Sequence, residues 1–242
     1  MNKGDFLMRF FDTHIHLQDF DTDIFSVFEK IQKCVCVSAK ISDWENVASL
    51  YEKYPKLIIP AFGLHPWYAN NTTPDWDSKL ELYLIKYPNA LVGECGFDKL
   101  KSENKQIQED AFIKQISLAK KYNRALIIHA VKATEWLDEI WDLLPDKFVF
   151  HSFNARTNLL KKVLDNGGYI ALNKKILQNK QATEIINSIS LDRILIESDA
   201  PYQSQVEDIF PFVERLAQAR KEKLEVLIEA LYKNALELVK ND

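Results

Sequence analysis

The sequence predicts a (β/α)8 barrel, and three observations carry that prediction. Eight short apolar runs alternate with helical patterns along the chain. All five histidines stand at or just beyond the C-terminal ends of such runs. The chain has 242 residues, close to the roughly 250 that a barrel of this kind needs as one domain. The whole chain, 1–242, therefore reads as a single barrel domain.

The runs are Met8–Phe11, Cys34–Val37, Leu57–Phe62, Leu91–Val92, Ala125–Ile128, Phe148–Phe150, Tyr169–Leu172 and Ile194–Ile196. Most are too short for helices and several are rich in Val and Ile, as expected of parallel strands buried on both faces. Helical signals fill the gaps. Ser42 and Glu45 have capping-box spacing, with Pro55 beyond the end. Thr73-Pro74 reads as an N-cap and a first-turn proline. Ile107, Ala111, Phe112, Ile116 and Ala119 share one helical face. Leu137, Ile140, Trp141 and Leu144 share another, stopped by Pro145. Leu159, Leu160, Val163 and Leu164 form a third, and Gly167 suits its C-terminal cap. Two more patterns, around Ile209–Leu216 and Leu224–Leu238, follow the eighth run. A doubly wound open sheet is the alternative, but no Gly-rich phosphate fingerprint supports it.

Composition narrows the function classes. The chain is 47% hydrophobic and 27% charged, an ordinary globular balance. With only 6 Gly and 8 Pro it is neither fibrous nor of low complexity. No apolar run approaches the roughly 20 residues of a membrane span, and the first residues lack the apolar core of a secretory signal. A cytoplasmic protein with no membrane partner is the expectation, with a monomer as the default. The formal charge of -4 is no basic footprint of the kind nucleic-acid binders carry. Cys34 and Cys36 lie in an apolar run and Cys95 stands apart, so buried thiols are expected rather than a disulfide framework.

The histidines carry the chemistry. His14 and His16 follow the first run, two apart, so in extended chain they point to one side. His65 follows the third run, His129 ends the fifth region and His151 the sixth, while Glu94 and Asp199 follow the fourth and eighth. Barrel active sites sit at this end. A lone histidine or carboxylate there is usually structural, but all five histidines on one face point to a metal centre. The donors exceed the need of one tetrahedral ion, and a bridging Glu94 could hold two divalent ions. Two dications would bring the formal charge from -4 to zero and draw a phosphate to an otherwise acidic protein. Zn, Mn, Fe, Co and Ni suit imidazole, and Mg is admitted by the carboxylates.

Six motifs in order resemble those of the TatD family of metal-dependent deoxyribonucleases, within the amidohydrolase superfamily. They are Asp12-Thr13-His14-Ile15-His16-Leu17, Gly63-Leu64-His65-Pro66, Val92-Gly93-Glu94-Cys95-Gly96-Phe97-Asp98, Ile127-Ile128-His129, His151-Ser152-Phe153 and Ile196-Glu197-Ser198-Asp199-Ala200-Pro201. Gln106 to Lys120 resembles the family's long helix, and Asn234 lies in the counterpart of its closing helix. The resemblance implies the same barrel and a set of roles. His14 and His16 would bind one metal with Asp199. His129 and His151 would bind a second, and Glu94 would bridge. Asp199 would also orient or deprotonate the attacking water, and His65 would contact the scissile phosphate. The implied cofactor is a pair of divalent ions, Mg, Mn or Zn. The implied substrate is DNA, as single strands or 3′ ends.

The departures concern substrate contacts. The family's His-x-Arg-Asp is here His129-Ala130-Val131-Lys132, so Lys132 stands in for the charge one position later. Phe153-Asn154-Ala155 replaces Phe-Ser-Gly, which makes Asn154 a candidate substrate contact. Gln18 precedes Asp19 where an acid is usual, and the segment after Pro201 is short. The alternatives are a hydrolase of another ester or amide bond and a non-catalytic metal-binding module. Trp67 and Tyr68 read as rim-packing residues rather than base-stacking ones, and Lys99, Lys101, Lys174 and Lys175 as solvated rather than backbone-tracking. Trp76, Trp136 and Trp141 fit helical faces and are expected in the core.

Overall fold

The computed structural model of the chain describes residues 10–21, 24–70, 72–101 and 104–240. Eight parallel strands run in sequence order around one sheet. They are β1 (Phe11–Ile15), β2 (Lys33–Val37), β3 (Ile58–Phe62), β4 (Leu91–Asp98), β5 (Leu126–Val131), β6 (Phe148–Phe150), β7 (Tyr169–Leu172) and β8 (Ile194–Ile196). Each pairs with the next, as in Val37 opposite Ala61 and Leu172 opposite Ile196. The ends of the sheet meet through the segment after β8. Asp199 N–H donates to the His14 carbonyl at 2.8 Å and His16 N–H to that of Ala200 at 2.9 Å. The Thr13 hydroxyl adds a bond to the Ile196 carbonyl at 2.8 Å. The architecture is the (β/α)8 barrel that the sequence predicts. Met8, in the first apolar run, lies outside the described residues.

Alternation along the strands separates two cores. Phe11, Val37, Ala61, Ile127, Ala171 and Leu195 belong to the inner one, which Ala235 and Leu238 complete. Cys36, Phe62, Ile128, Phe150, Leu172 and Ile196 belong to the outer one, beneath the helices. Each such fully buried side chain contributes about 1.5–3 kcal/mol of transfer free energy. All three thiols are buried and free.

The described helices are α1 (Phe25–Phe28), α2 (Trp44–Lys53), α3 (Trp76–Lys86), α4 (Lys105–Lys121), α5 (Thr157–Asp165), α6 (Ala182–Ser188), α7 (Ile209–Arg220) and α8 (Leu224–Val239). The end of α5 is the cap that Gly167 predicts. Gly167 has φ +78°, its N–H bonds Leu164, and Gly168 N–H reaches back to Val163, the paired bonds of a Schellman motif. In α8, Asn234 is buried and donates to the carbonyls of Leu191 and Ile194, both at 2.8 Å. This ties the closing helix to β8.

Five local expectations are corrected. Ser42 and Glu45 form no capping box. Ile41–Asp43 is a 3₁₀ turn, α2 starts at Trp44, and the Asp43 carboxylate accepts from Ala39 and Lys40 N–H. The Asp43 side chain closes the turn ahead of the helix rather than Ser42 capping it. Thr73-Pro74 lies ahead of α3, which begins at Trp76. The pattern at 137–144 is two 3₁₀ turns, Thr134–Leu137 and Trp141–Leu143, rather than an α-helix. Leu137, Ile140 and Leu144 are buried as the pattern requires. Pro145 holds Leu144 extended, leaving a segment too short to nucleate an α-helix. Trp76 is buried, but Trp136 and Trp141 are half-buried. Finally, β4 continues past Val92 to Asp98 because its polar half still pairs with β5, Gly96 opposite His129.

Replacing Asn234 with Leu strands two buried carbonyls. At about 1–3 kcal/mol each, the variant is expected to lose about 2–5 kcal/mol in urea unfolding, against a small loss for Leu236→Gln on the exposed face of the same helix.

Candidate metal centre

The same alternation that fills the inner core delivers the site. Along β5, Ala125 and Ile127 point inward, and two residues on comes His129. Along β6 the sequence runs Val149 then His151, after β3 Ala61, Gly63 and His65, and through β8 Leu195, Glu197 and Asp199. Two strands break the rhythm. The β1–β2 register shifts between Asp12 and Ile15, and the β4–β5 register between Val92 and Cys95. These shifts accompany the arrival of His14 and Glu94 beside the other donors. Close packing accompanies the second: a Cβ on Gly63 would lie 2.4 Å from the Gly93 carbonyl carbon.

Glu94 stands at the middle. Its Oε1 is 2.6 Å from His151 Nε2, 2.7 Å from His129 Nδ1 and 3.4 Å from His65 Nε2. Its Oε2 is 3.3 Å from His14 Nε2 and 4.0 Å from His16 Nε2. Asp199 Oδ1 lies 3.3 Å from His16 Nε2 and 3.8 Å from His14 Nε2. All of these side chains are buried. Burial pushes the Glu94 carboxyl up, but the imidazoles of His151, His65 and His14 outweigh it and hold it well below the usual range. Asp199 is likewise lowered against its burial, chiefly by His16. Burial pushes the His151 ring down, and Glu94 and Glu197 reverse this and raise it well above the ordinary value.

The donor set fits metal ions. Ring nitrogens face one another at 3.2 Å between His14 and His16 and at 3.1 Å between His129 and His151. Each such contact accommodates one proton at most, whereas a cation satisfies both lone pairs and the carboxylate. His16, Glu94 and His14 form one cluster of possible ligand atoms, and His65, Glu94 and His129 another. A third joins His14, His151 and Glu197. His14 Nδ1, His151 Nδ1 and Glu197 Oε2 are buried without a hydrogen-bond partner in the structure. Imidazole and carboxylate together suit divalent ions of borderline softness.

Other groups orient the donors. His16 Nδ1 lies 2.8 Å from the Val37 carbonyl, a bond that puts the proton on Nδ1 and frees Nε2. His65 is the reverse: its Nδ1 accepts the Trp67 N–H at 3.1 Å, so in the neutral ring Nε2 carries the proton and is a donor. Burial pushes the His65 ring down to about 4. Asp98 Oδ2 lies 3.2 Å from His129 Nε2 and accepts the Trp67 indole N–H at 2.6 Å. Burial opposes ionisation of Asp98, but these hydrogen bonds draw it down to about 2. Asp12 accepts from His14 N–H, Ser198 N–H and the Ser198 hydroxyl, joining the first and last strand ends. Its burial nonetheless raises it to about 7.

A cavity of about 450 Å³ opens over the cluster, lined by His16, His65, Glu94, His129, His151 and Asp199, with Trp67, Lys101, Lys175 and Tyr202 among its walls. Lys132 and Asn154 do not line this cavity. They share an adjoining one, where Asn154 Oδ1 accepts from Asn179. Of the lysines beyond strand ends, Lys99 pairs with Glu135 and Lys174 with Asp208. Lys101 lies 4.5 Å over the Trp67 ring. Asp98, Glu197 and Asp12 take part in the site although the sequence pattern alone assigns them no role. Lys175, expected from the sequence to be a solvated lysine beyond a strand end, lines the cavity, as does Gln203.

The family model of TatD-related DNases matches residues 11–240. The chain belongs to the TatD-related DNase family. The human protein "Deoxyribonuclease TATDN3" is 27% identical over 256 residues, which cover 94% of this chain and 93% of that protein. A metal-dependent hydrolase of Buchnera aphidicola is 32% identical over 223 residues, covering 81% and 83%. A crystal structure of the Escherichia coli TatD homologue YjjV has the same fold, with a TM-score of 0.84 at 24% identity, covering 96% of this chain and 98% of that one. The enzyme class expected from the sequence, a metal-dependent hydrolase, is that of this TatD family. Among the described residues no helix is long and apolar enough to cross a membrane.

If Asp98 orients His129 for a metal, Asp98→Asn in this TatD-family chain is expected to weaken divalent-ion affinity by about 10–100-fold, measured by competition with a chromophoric chelator. Zinc or manganese at about 100 times its dissociation constant is expected to stabilise the wild type by about 2.7 kcal/mol, and EDTA to reverse the gain.

Proposed function

We propose that the chain is a two-metal DNA phosphodiesterase acting on single-stranded DNA ends. The observation that carries this reading is the division of Glu94, with one oxygen toward His14 and His16 and the other toward His129 and His151. In this reading His14, His16 and Asp199 hold one ion, His129 and His151 the other, and Glu94 bridges. Bound ions would supply an acidified water and charge compensation for a phosphate.

The side chains then divide the work. Asp199, beside His16 and at the cavity wall, orients the attacking water and takes its proton. His65 presents Nε2–H to a phosphate oxygen as a neutral donor, its Nδ1 being held by Trp67. Lys132 and Asn154 contact the strand farther out, in the adjoining cavity. Half-exposed Trp67 and exposed Tyr202 flank the opening. Tyr202 offers an unpaired base an aromatic face that a duplex, with its bases stacked inside, cannot use.

The test is a nuclease assay on metal-stripped protein, with single-stranded and duplex DNA labelled at either end and Mg, Mn or Zn restored in turn. Stepwise shortening of the single strand from its 3′ end is expected. Glu94→Gln is expected to lower kcat by about 10³-fold or more, and His65→Gln by about 10²–10³-fold with metal content unchanged. Turnover of aminoacyl esters or small amides, with DNA untouched, would instead favour another hydrolysed bond. Full metal occupancy without any turnover would favour a binding module.

A further inference from the structure

The cavity at the metal centre continues sideways. Val131, Lys175 and Gln203 line it and also line a second cavity of about 590 Å³ beside the segments that follow β5 and β6. Three cations stand around the second cavity: Lys132, Arg156 and Lys175. None of them has an ion-pair partner among the described residues. Nearby cations are already paired, Lys99 with Glu135, Lys162 with Asp138 and Lys174 with Asp208. The carboxylate in the lining, Glu135, is the one that Lys99 occupies at 2.6 Å. On a chain of net charge -4, three uncompensated cations beside one opening make a local positive field directed at an anion.

The neutral groups repeat the pattern. Gln203 Oε1 accepts the Ser152 hydroxyl at 2.7 Å. Asn154 Oδ1 accepts from Asn179 at 2.8 Å, and Asn158 Oδ1 from Leu159 N–H at 2.9 Å. In all three amides the acceptor is engaged and the NH2 is left without a partner among the described residues. The lining therefore offers donors and positive charge while its amide acceptors are used internally. A phosphodiester, which has only acceptors and a negative charge, matches such a surface.

We propose that this second cavity binds the phosphate neighbouring the scissile one, and that Arg156 is a residue that makes the enzyme prefer a polynucleotide strand over an isolated phosphodiester. The proposal rests on the DNA-hydrolase reading above. Arg156 is exposed and outside the metal cavity, so its loss leaves the donor cluster untouched. The guanidinium can take two phosphate oxygens at once, which an ammonium cannot.

The experiment compares the metal-loaded wild type with Arg156→Gln and with Arg156→Lys. The substrates are bis(p-nitrophenyl) phosphate and a single-stranded oligonucleotide, across a salt series. Expected is a loss of about 10-fold or more in kcat/KM on the oligonucleotide for Arg156→Gln, with partial recovery in Arg156→Lys. The slope of log(kcat/KM) against log[salt] should shrink by about 0.7. Turnover of the small diester should stay within about twofold. Equal losses on both substrates, or an unchanged oligonucleotide rate and salt slope, would overturn the proposal. A wild type that hydrolyses the small diester but neither binds nor cleaves oligonucleotides would overturn the DNA reading and this proposal together. Normal oligonucleotide cleavage by both wild type and Arg156→Gln would overturn this proposal alone.

Discussion

Glu94 is ionised in a place that water scarcely reaches. Burial alone would neutralise it, and the imidazoles of His151, His65 and His14 prevent that. The arrangement is self-consistent only if each partner is held at hydrogen-bonding distance, because an unpaired buried carboxylate costs several kcal/mol. Local irregularities of the barrel accompany this arrangement. The register shifts of β1 and β4 bring His14 and Glu94 to the same depth as residues on regular strands. Gly63 and Gly93 leave no room for a side chain between them, as the 2.4 Å approach of a hypothetical Cβ shows. Cations held at this cluster would relieve the mutual repulsion of the ring nitrogens and let the rings act as neutral ligands.

Around that centre the fold places stiff supports. Asp12 and Ser198 join the first strand to the segment after the last. Gln108 on α4 grips both backbone groups of Asp98, and Gln115 on the same helix does so for Leu64, next to His65. These contacts run from helix to strand end, so the donors are positioned by the outer layer as well as by the sheet. Gln108 thereby fixes Asp98, whose carboxylate meets His129, so the helix bears on a candidate ligand through an intermediate residue.

The strands were legible because both-face burial writes continuous apolar runs, and the donors because period-two alternation projects them onto one end. What the sequence concealed has physical causes. The segment at 137–144 has helical spacing, yet Pro145 shortens it to 3₁₀ turns that bury the same residues. Asp98 and Glu197 look like any acid near a strand end, since their partners, His129 and His151, stand on other strands and are far away in sequence. Lys174 and Lys175 are adjacent and identical in type. One meets Asp208, 34 residues away, and the other lines the cavity with no ion-pair partner among the described residues. Only the tertiary partner separates them. For the same reason the donor-rich cavity around Arg156 escaped notice, its lining being drawn from segments after four different strands.

The proposed two-metal centre requires one carboxylate, Glu94, to serve two ions. The most direct measurement is metal stoichiometry: equilibrium dialysis of stripped protein against zinc or manganese, read by elemental analysis, for the wild type and for Glu94→Ala. A shared Glu94 gives two ions per wild-type chain and a loss of tight binding at both positions, not one, in the variant. A single ion in the wild type, or two ions retained at unchanged affinity in Glu94→Ala, would contradict it.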